Sequence, residues 1–233
     1  MKVFFVCGTW QSGLGLFKEI SKGLREDVET VLIPSPAKYG DGMAYVESVA
    51  ATEKNIFNQL SEETEPYFLV AYSQGAHAAG NIVRDFGKRG LPNLGKYFGI
   101  ADPMRSPRDF TAGPVVGGSG IMGAREVGRR CVNIVAPGDI VAANTNPFIR
   151  NAARYSTSVS VTNPKLWVKS LIPAAKAHED GGSFRDAVKE IGSYLTTQVH
   201  IRYGSYEVEP GLTVPNYIIR EVEALERRFI SAS

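Results

Sequence analysis

The stretch Phe68–Val83, "FLVAYSQGAHAAGNIV", runs from a buried strand through Tyr72-Ser73-Gln74-Gly75 straight into a helical pattern of small residues. So tight a strand–turn–helix corner projects a serine hydroxyl above the sheet, away from its own backbone, at the cost of strained angles at the serine. Residues two before and two after Ser73 are expected to crowd each other, and they are the small Ala71 and Gly75. Ala76, Ala79 and Gly80 then let the helix lie close on the sheet. The helix N-terminus leaves free N–H groups beside the serine, and the Gln74 N–H is placed to bind a developing oxyanion. The competing reading is a serine that only N-caps the helix. The pattern is G-x-S-x-G with alanine in the first place, weak alone but specific between a buried strand and a helix.

The flanking chain repeats the same alternation. Val3–Cys7, Val28–Ile33, Tyr67–Tyr72, Tyr97–Ala101 and Val132–Ala136 read as buried strands. Leu14–Leu24, Ala44–Leu60, Ala76–Arg89, Phe148–Ala153, Leu166–Ala177, Phe184–Leu195 and Val214–Ile230 carry helical spacing, with Val46, Val49, Ile56 and Leu60 as the candidate core of the second. Near-continuous apolar strands alternating with helices predict a doubly wound α/β layout, a mostly parallel sheet covered on both faces. Residues 1–233 are expected to form one such domain. Two segments break its rhythm: a Gly-rich loop over 106–128 and a helical insertion over about 143–198.

Composition narrows the function classes. Hydrophobic residues make up 43% and charged residues 21%, with a net charge of +2 and no basic run interleaved with aromatics, so nothing points to nucleic acid. Cys7 and Cys131 both sit in apolar runs and read as small core residues, too few for a metal site; no cofactor is expected. The N-terminal "MKVFFVCGTW" lacks the length and cleavage site of a signal peptide, and no apolar run approaches the ~20 residues of a membrane span. Synthesis in a cytoplasm is the expectation.

A serine nucleophile needs a base, and three histidines are available. His77 lies one helical turn past Ser73 and reads as scaffold; His178, in "AKAHEDGG", reads as solvent-exposed. His200, in "TTQVHIRYGSY", fits the chain order nucleophile, acid, histidine. The acid is expected just beyond a strand. Asp139, after a Pro-Gly turn, ranks ahead of Asp102 in "IADPMR" because it follows the later strand, and Asp41 reads as a plain turn residue. A second oxyanion donor is expected from "CGTWQSG", as the N–H of Thr9 or of Trp10. That stretch lacks the endings of a phosphate-binding loop.

Four motifs in order, "YSQGA" (72–76), "DPMR" (102–105), "PGD" (137–139) and "HIRYGSY" (200–206), resemble the cutinase-like serine esterases. Within these the chain is most similar to the lysin B family, the mycolylarabinogalactan esterases of mycobacteriophages. The sixty-one positions between Asp139 and His200 fit the helical linker of that family better than the close spacing of fungal cutinases. Ala71 stands where the family commonly has Gly, and Asp102 where it often has Asn. The resemblance implies an α/β-hydrolase fold of cutinase type and a catalytic set of Ser73, Asp139 and His200, with oxyanion donors Gln74 and Thr9. It also implies a lipid-ester substrate in the mycolyl-arabinogalactan layer, reached after release from the host cytoplasm. From the residues alone the substrate is only an ester of an apolar acyl group. A general lipid or polyester esterase, an acyltransferase, or a non-catalytic envelope-binding domain are the other readings.

Overall fold

The computed structural model describes residues 1–39, 42–86, 90–155 and 184–230. Six strands form a fully parallel sheet in the order β2-β1-β3-β4-β6-β5. They are β1 (Lys2–Val6), β2 (Glu29–Leu32), β3 (Tyr67–Tyr72), β4 (Leu94–Ile100), β5 (Thr111–Ala112) and β6 (Cys131–Ile134). The helices are α1 (Leu14–Gly23), α2 (Tyr45–Ser61), α3 (Gln74–Phe86), α4 (Pro147–Tyr155), α5 (Phe184–Thr197) and α6 (Val214–Ile230). A small antiparallel pair, β7 (Glu207–Glu209) and β8 (Leu212–Thr213), precedes α6.

The apolar strands are continuous because alternate side chains enter two different cores. Val3, Phe5, Phe68, Val70, Phe98 and Ile100 pack with α1 and α6 on one face. Phe4, Val6, Leu69, Ala71 and Tyr97 pack with α2 and α3 on the other. A third cluster joins Ile121 and Ile140 to Phe148, Ile149 and Ala153 of α4 and to Ala187 and Ile191 of α5. Strand order reverses between β1 and β3, so their C-terminal ends open a crevice at the point where such sheets bind ligands.

Several expectations are corrected. The second strand is not buried: β2 is an edge, with Glu29, Thr30 and Leu32 exposed. Val46 points to solvent, because Tyr45, Ser48, Val49, Thr52, Ile56 and Leu60 set the inward phase of α2. Within the Gly-rich loop 106–128 lies the two-residue strand β5, and Arg125 in it bridges to Arg105 just before it. The predicted helix Leu166–Ala177, the end of the predicted helix Ala76–Arg89, Asp41 and His178 lie outside the described residues.

The small residue two after the serine also has a different cause. A Cβ at Gly75 would stand 2.4 Å from the Cys7 carbonyl oxygen and 2.6 Å from that of Val6, so the end of β1, rather than Ala71, excludes a side chain. Gly75→Ala is therefore expected to destabilise by about 1–3 kcal/mol, because the obstructing atoms are backbone. Gly15→Ala, exposed near the start of α1 with nothing within 4 Å of its Cβ position, should instead stabilise by about 0.4–1 kcal/mol. Thermal unfolding of the two variants checks the opposite signs.

Candidate active site

Ser73 occupies the bend between β3 and α3 with φ of 53°. A non-glycine residue holds that left-handed conformation only where its surroundings impose it. Here the Ser73 N–H donates to the Ile100 carbonyl at 2.8 Å, and the Ser73 carbonyl accepts the His77 N–H at 3.0 Å. Gly8 closes in from the neighbouring strand end, where a Cβ would lie 2.8 Å from the Ser73 Cβ.

The hydroxyl so presented meets a histidine from the far end of the chain. Ser73 Oγ is 2.9 Å from His200 Nε2. His200 sits in a 3-10 turn, Val199–Ile201, between α5 and β7, entered through Gln198 at φ of 50°. The Tyr72 hydroxyl donates to the His200 carbonyl, and the rings of Tyr72, Tyr194 and Tyr203 surround the imidazole at 5.7, 6.3 and 6.5 Å.

On the other side of the ring, His200 Nδ1 lies 3.1 and 3.0 Å from the two carboxylate oxygens of Asp139. A carboxylate only accepts hydrogen bonds, so this contact fixes the proton on Nδ1 and turns the Nε2 lone pair to Ser73. Asp139 is fully buried in the turn after β6. Its Oδ1 accepts the Val141 N–H at 3.0 Å and its Oδ2 the Tyr203 hydroxyl at 2.7 Å, while Tyr203 accepts the Ala136 N–H at 3.0 Å. Tyr203 is thus the support that reasoning from residue types did not assign; its place three after the histidine was the available signal.

The remaining candidates are placed elsewhere. Asp102 pairs with Arg125 in a site where both side chains are at most 1% exposed, and it accepts the Met104 N–H at 2.8 Å. Arg125 also donates to the His77 carbonyl at 2.7 Å and to Asn81 at 3.0 Å, crossing α3 at Gly80, where a Cβ would collide with the guanidinium. Asp102 therefore braces the helix behind the serine. His77 Nδ1 meets the Tyr45 hydroxyl at 3.0 Å, and burial, reinforced by Arg125 and Arg84, lowers its pKa to about 3. It is a neutral hydrogen-bonding group at ordinary pH. The Trp10 N–H donates to the Ala37 carbonyl at 2.7 Å. The N–H groups of Thr9 and Gln74 have no acceptor among the described residues.

A cavity of about 290 Å³ opens over Ser73 and His200. Thr9, Trp10, Tyr39 and Tyr45 line it, together with Ile121, Met122, Ile140 and Val141, and among the described residues no Asp, Glu, Lys or Arg does. The arrangement can activate a serine, hold a developing negative charge and shelter an apolar group. Among the described residues, no cluster of His, Cys, Asp or Glu could hold a metal ion, and no helix is long and apolar enough to cross a membrane.

Two measurements separate these roles. Asp139→Asn should lower Ser73-dependent turnover by about 10³–10⁴-fold, because the imidazole loses the acceptor that fixes its tautomer. Asp102→Asn should leave turnover within about tenfold but weaken folding by about 3–5 kcal/mol, since Arg125 is left without a counter-charge in a dry site. His77 gives a pH signature. Its folded pKa lies below the ~6.5 of an unfolded histidine, so the unfolded chain takes up the proton first and stability falls as pH drops below that value. His77→Gln should flatten this acid-side loss, by about 3 kcal/mol near pH 4.5, in denaturant titrations of the two proteins.

No family profile matches the chain, and no curated protein matches it. Solved structures do. Lysin B from mycobacteriophage D29 matches with a TM-score of 0.53 at 18% identity, over 95% of this chain and 98% of that one. An acetylxylan esterase matches at 0.49 and 16%, over 76% of this chain and 97% of that one. A cutinase-like protein from Cryptococcus sp. matches at 0.49 and 16%, over 73% and 94%. With its parallel sheet flanked by helices, the chain has the α/β-hydrolase fold.

Proposed function

We propose that the protein is a serine carboxylic-ester hydrolase acting on esters of apolar acyl groups. The observation that carries this reading is the continuous chain from Ser73 Oγ through His200 to buried Asp139 at the floor of a cavity whose described lining carries no Asp, Glu, Lys or Arg. His200 Nε2 takes the Ser73 proton as Oγ attacks the ester carbonyl carbon. The tetrahedral oxyanion is held by the Gln74 and Thr9 N–H groups. The proton passes from His200 to the departing alcohol, leaving an acyl-enzyme. Water then attacks, His200 takes its proton, and the acid leaves as Ser73 recovers its hydrogen.

The substrate reading is finer: the mycolyl ester of arabinogalactan in a mycobacterial-type envelope, cleaved during phage lysis after the enzyme leaves the host cytoplasm. It is supported by the order of the four sequence motifs, by the apolar cavity and by the full-length fold likeness to lysin B from mycobacteriophage D29.

Ser73→Ala is expected to abolish hydrolysis of short p-nitrophenyl esters, a loss of about 10⁴-fold or more, with the unfolding midpoint preserved. A fluorophosphonate probe should label the native chain at Ser73 alone. Unchanged turnover in the variant, or labelling elsewhere, overturns the mechanism. Release of free mycolic acid from isolated mycobacterial cell walls tests the substrate separately.

A further inference from the structure

Ser48 and Gln74 are polar side chains buried to 0% and 1% exposure, and neither side chain has a part in the steps above. Ser48 lies on the inward side of α2, in phase with Val49, Thr52 and Ile56. Buried polar groups persist when hydrogen-bonded, and these two are bonded to one short piece of backbone. Ser48 Oγ donates to Gln74 Oε1 at 3.3 Å and accepts the Lys38 N–H at 3.1 Å. Gln74 Nε2 donates to the Lys38 carbonyl at 2.8 Å. The preceding carbonyl, of Ala37, accepts the Trp10 N–H at 2.7 Å.

Ala37 and Trp10 both have positive φ, 52° and 53°, conformations that neighbouring contacts must impose. Ala37 receives a further hold, its N–H donating at 3.2 Å to Ser35 Oγ, which pairs with Thr52 Oγ1 at 2.8 Å. Followed along the chain, the Gln74 side chain grips Lys38, Ala37 grips Trp10, and Trp10 adjoins Thr9. The residue whose N–H supplies one oxyanion donor thus reaches, with its side chain, the backbone that locates the other.

We propose that the Gln74 side chain and Ser48 are positioning residues that set the separation between the Gln74 and Thr9 N–H groups. The proposal rests on the esterase reading, in which those two groups hold the oxyanion. Donors serve an oxyanion only within a narrow range of distance, and a brace of hydrogen bonds resists drift in that range better than apolar packing does.

The test compares Gln74→Met, Ser48→Ala and the double variant on p-nitrophenyl butyrate and on its thiono analogue, in which sulfur replaces the carbonyl oxygen. A sulfur anion is larger and accepts hydrogen bonds poorly, so a hole set for oxygen favours the oxoester. Each single variant should lower kcat on the oxoester by about 10–100-fold while KM stays within about twofold. The oxoester-to-thionoester rate ratio should fall by about tenfold, a change that a general loss of folded protein does not produce. The double variant should lose little more than Gln74→Met alone, because the two residues act as one unit. Should Gln74→Met fail to fold, Ser48→Ala decides on the same ratio. Unchanged kcat, or equal slowing of both esters, overturns the brace. Wild-type protein that hydrolyses neither ester and is not labelled at Ser73 overturns the esterase reading, and the brace with it.

Discussion

The contact of Gly75 with the carbonyls of Val6 and Cys7 is the constraint on which the site depends. It lets the first turn of α3 lie directly against the end of β1. The loop after β1 and the bend after β3 become neighbours as a result, with Gly8 packed against Ser73. The left-handed serine is then held from three sides: by β4 through Ile100, by its own helix through His77, and by β1 through Gly8. Strain at one residue is tolerable when adjacent strands leave it no alternative.

Among the described residues, charge is kept out of the cavity wall and used behind it. Arg125 ties the loop between β4 and β6 to α3, and buried Arg105 donates to the carbonyls of Ala142 at 2.7 Å and Gly118 at 2.6 Å. Those carbonyls belong to irregular chain with no strand neighbour to satisfy them, and a planar guanidinium offers donors in several directions at once. Asp139 sits three residues before Ala142, so Arg105 steadies the turn that carries the acid. Packing around the site is therefore polar at its back and apolar at its mouth.

Much of this was legible from residue order alone. Alternating apolar runs and helices specify a doubly wound sheet, and β3 follows its sequence reading residue for residue, Tyr67–Tyr72. What escaped depends on contacts between distant segments. The exposure of β2 follows from its place at the sheet edge, which no local pattern encodes. Asp102 and Arg125 are 23 positions apart and meet only because the loop between them folds back. Val46 and Val49 look equivalent in composition, and tertiary packing alone selects the phase of α2. Strands β5, β7 and β8 have two or three residues each, too short for a period to register, although Pro210-Gly211 marks the turn between the last two.

The order in which the site's parts occur along the chain has a consequence during synthesis. Ser73, Thr9 and Gln74 leave the ribosome early, Asp139 comes later, and His200 with its support Tyr203 comes in the last fifth of the sequence. A nascent chain can fold its first strands and present a serine hydroxyl while still lacking any base to deprotonate it. The Ser73 hydroxyl would gain its histidine partner only when the segment beyond α5 docks beneath Tyr72. A chain ending before His200 would thus lack the base, and the docking of the segment beyond α5, rather than the formation of the sheet, would complete the site.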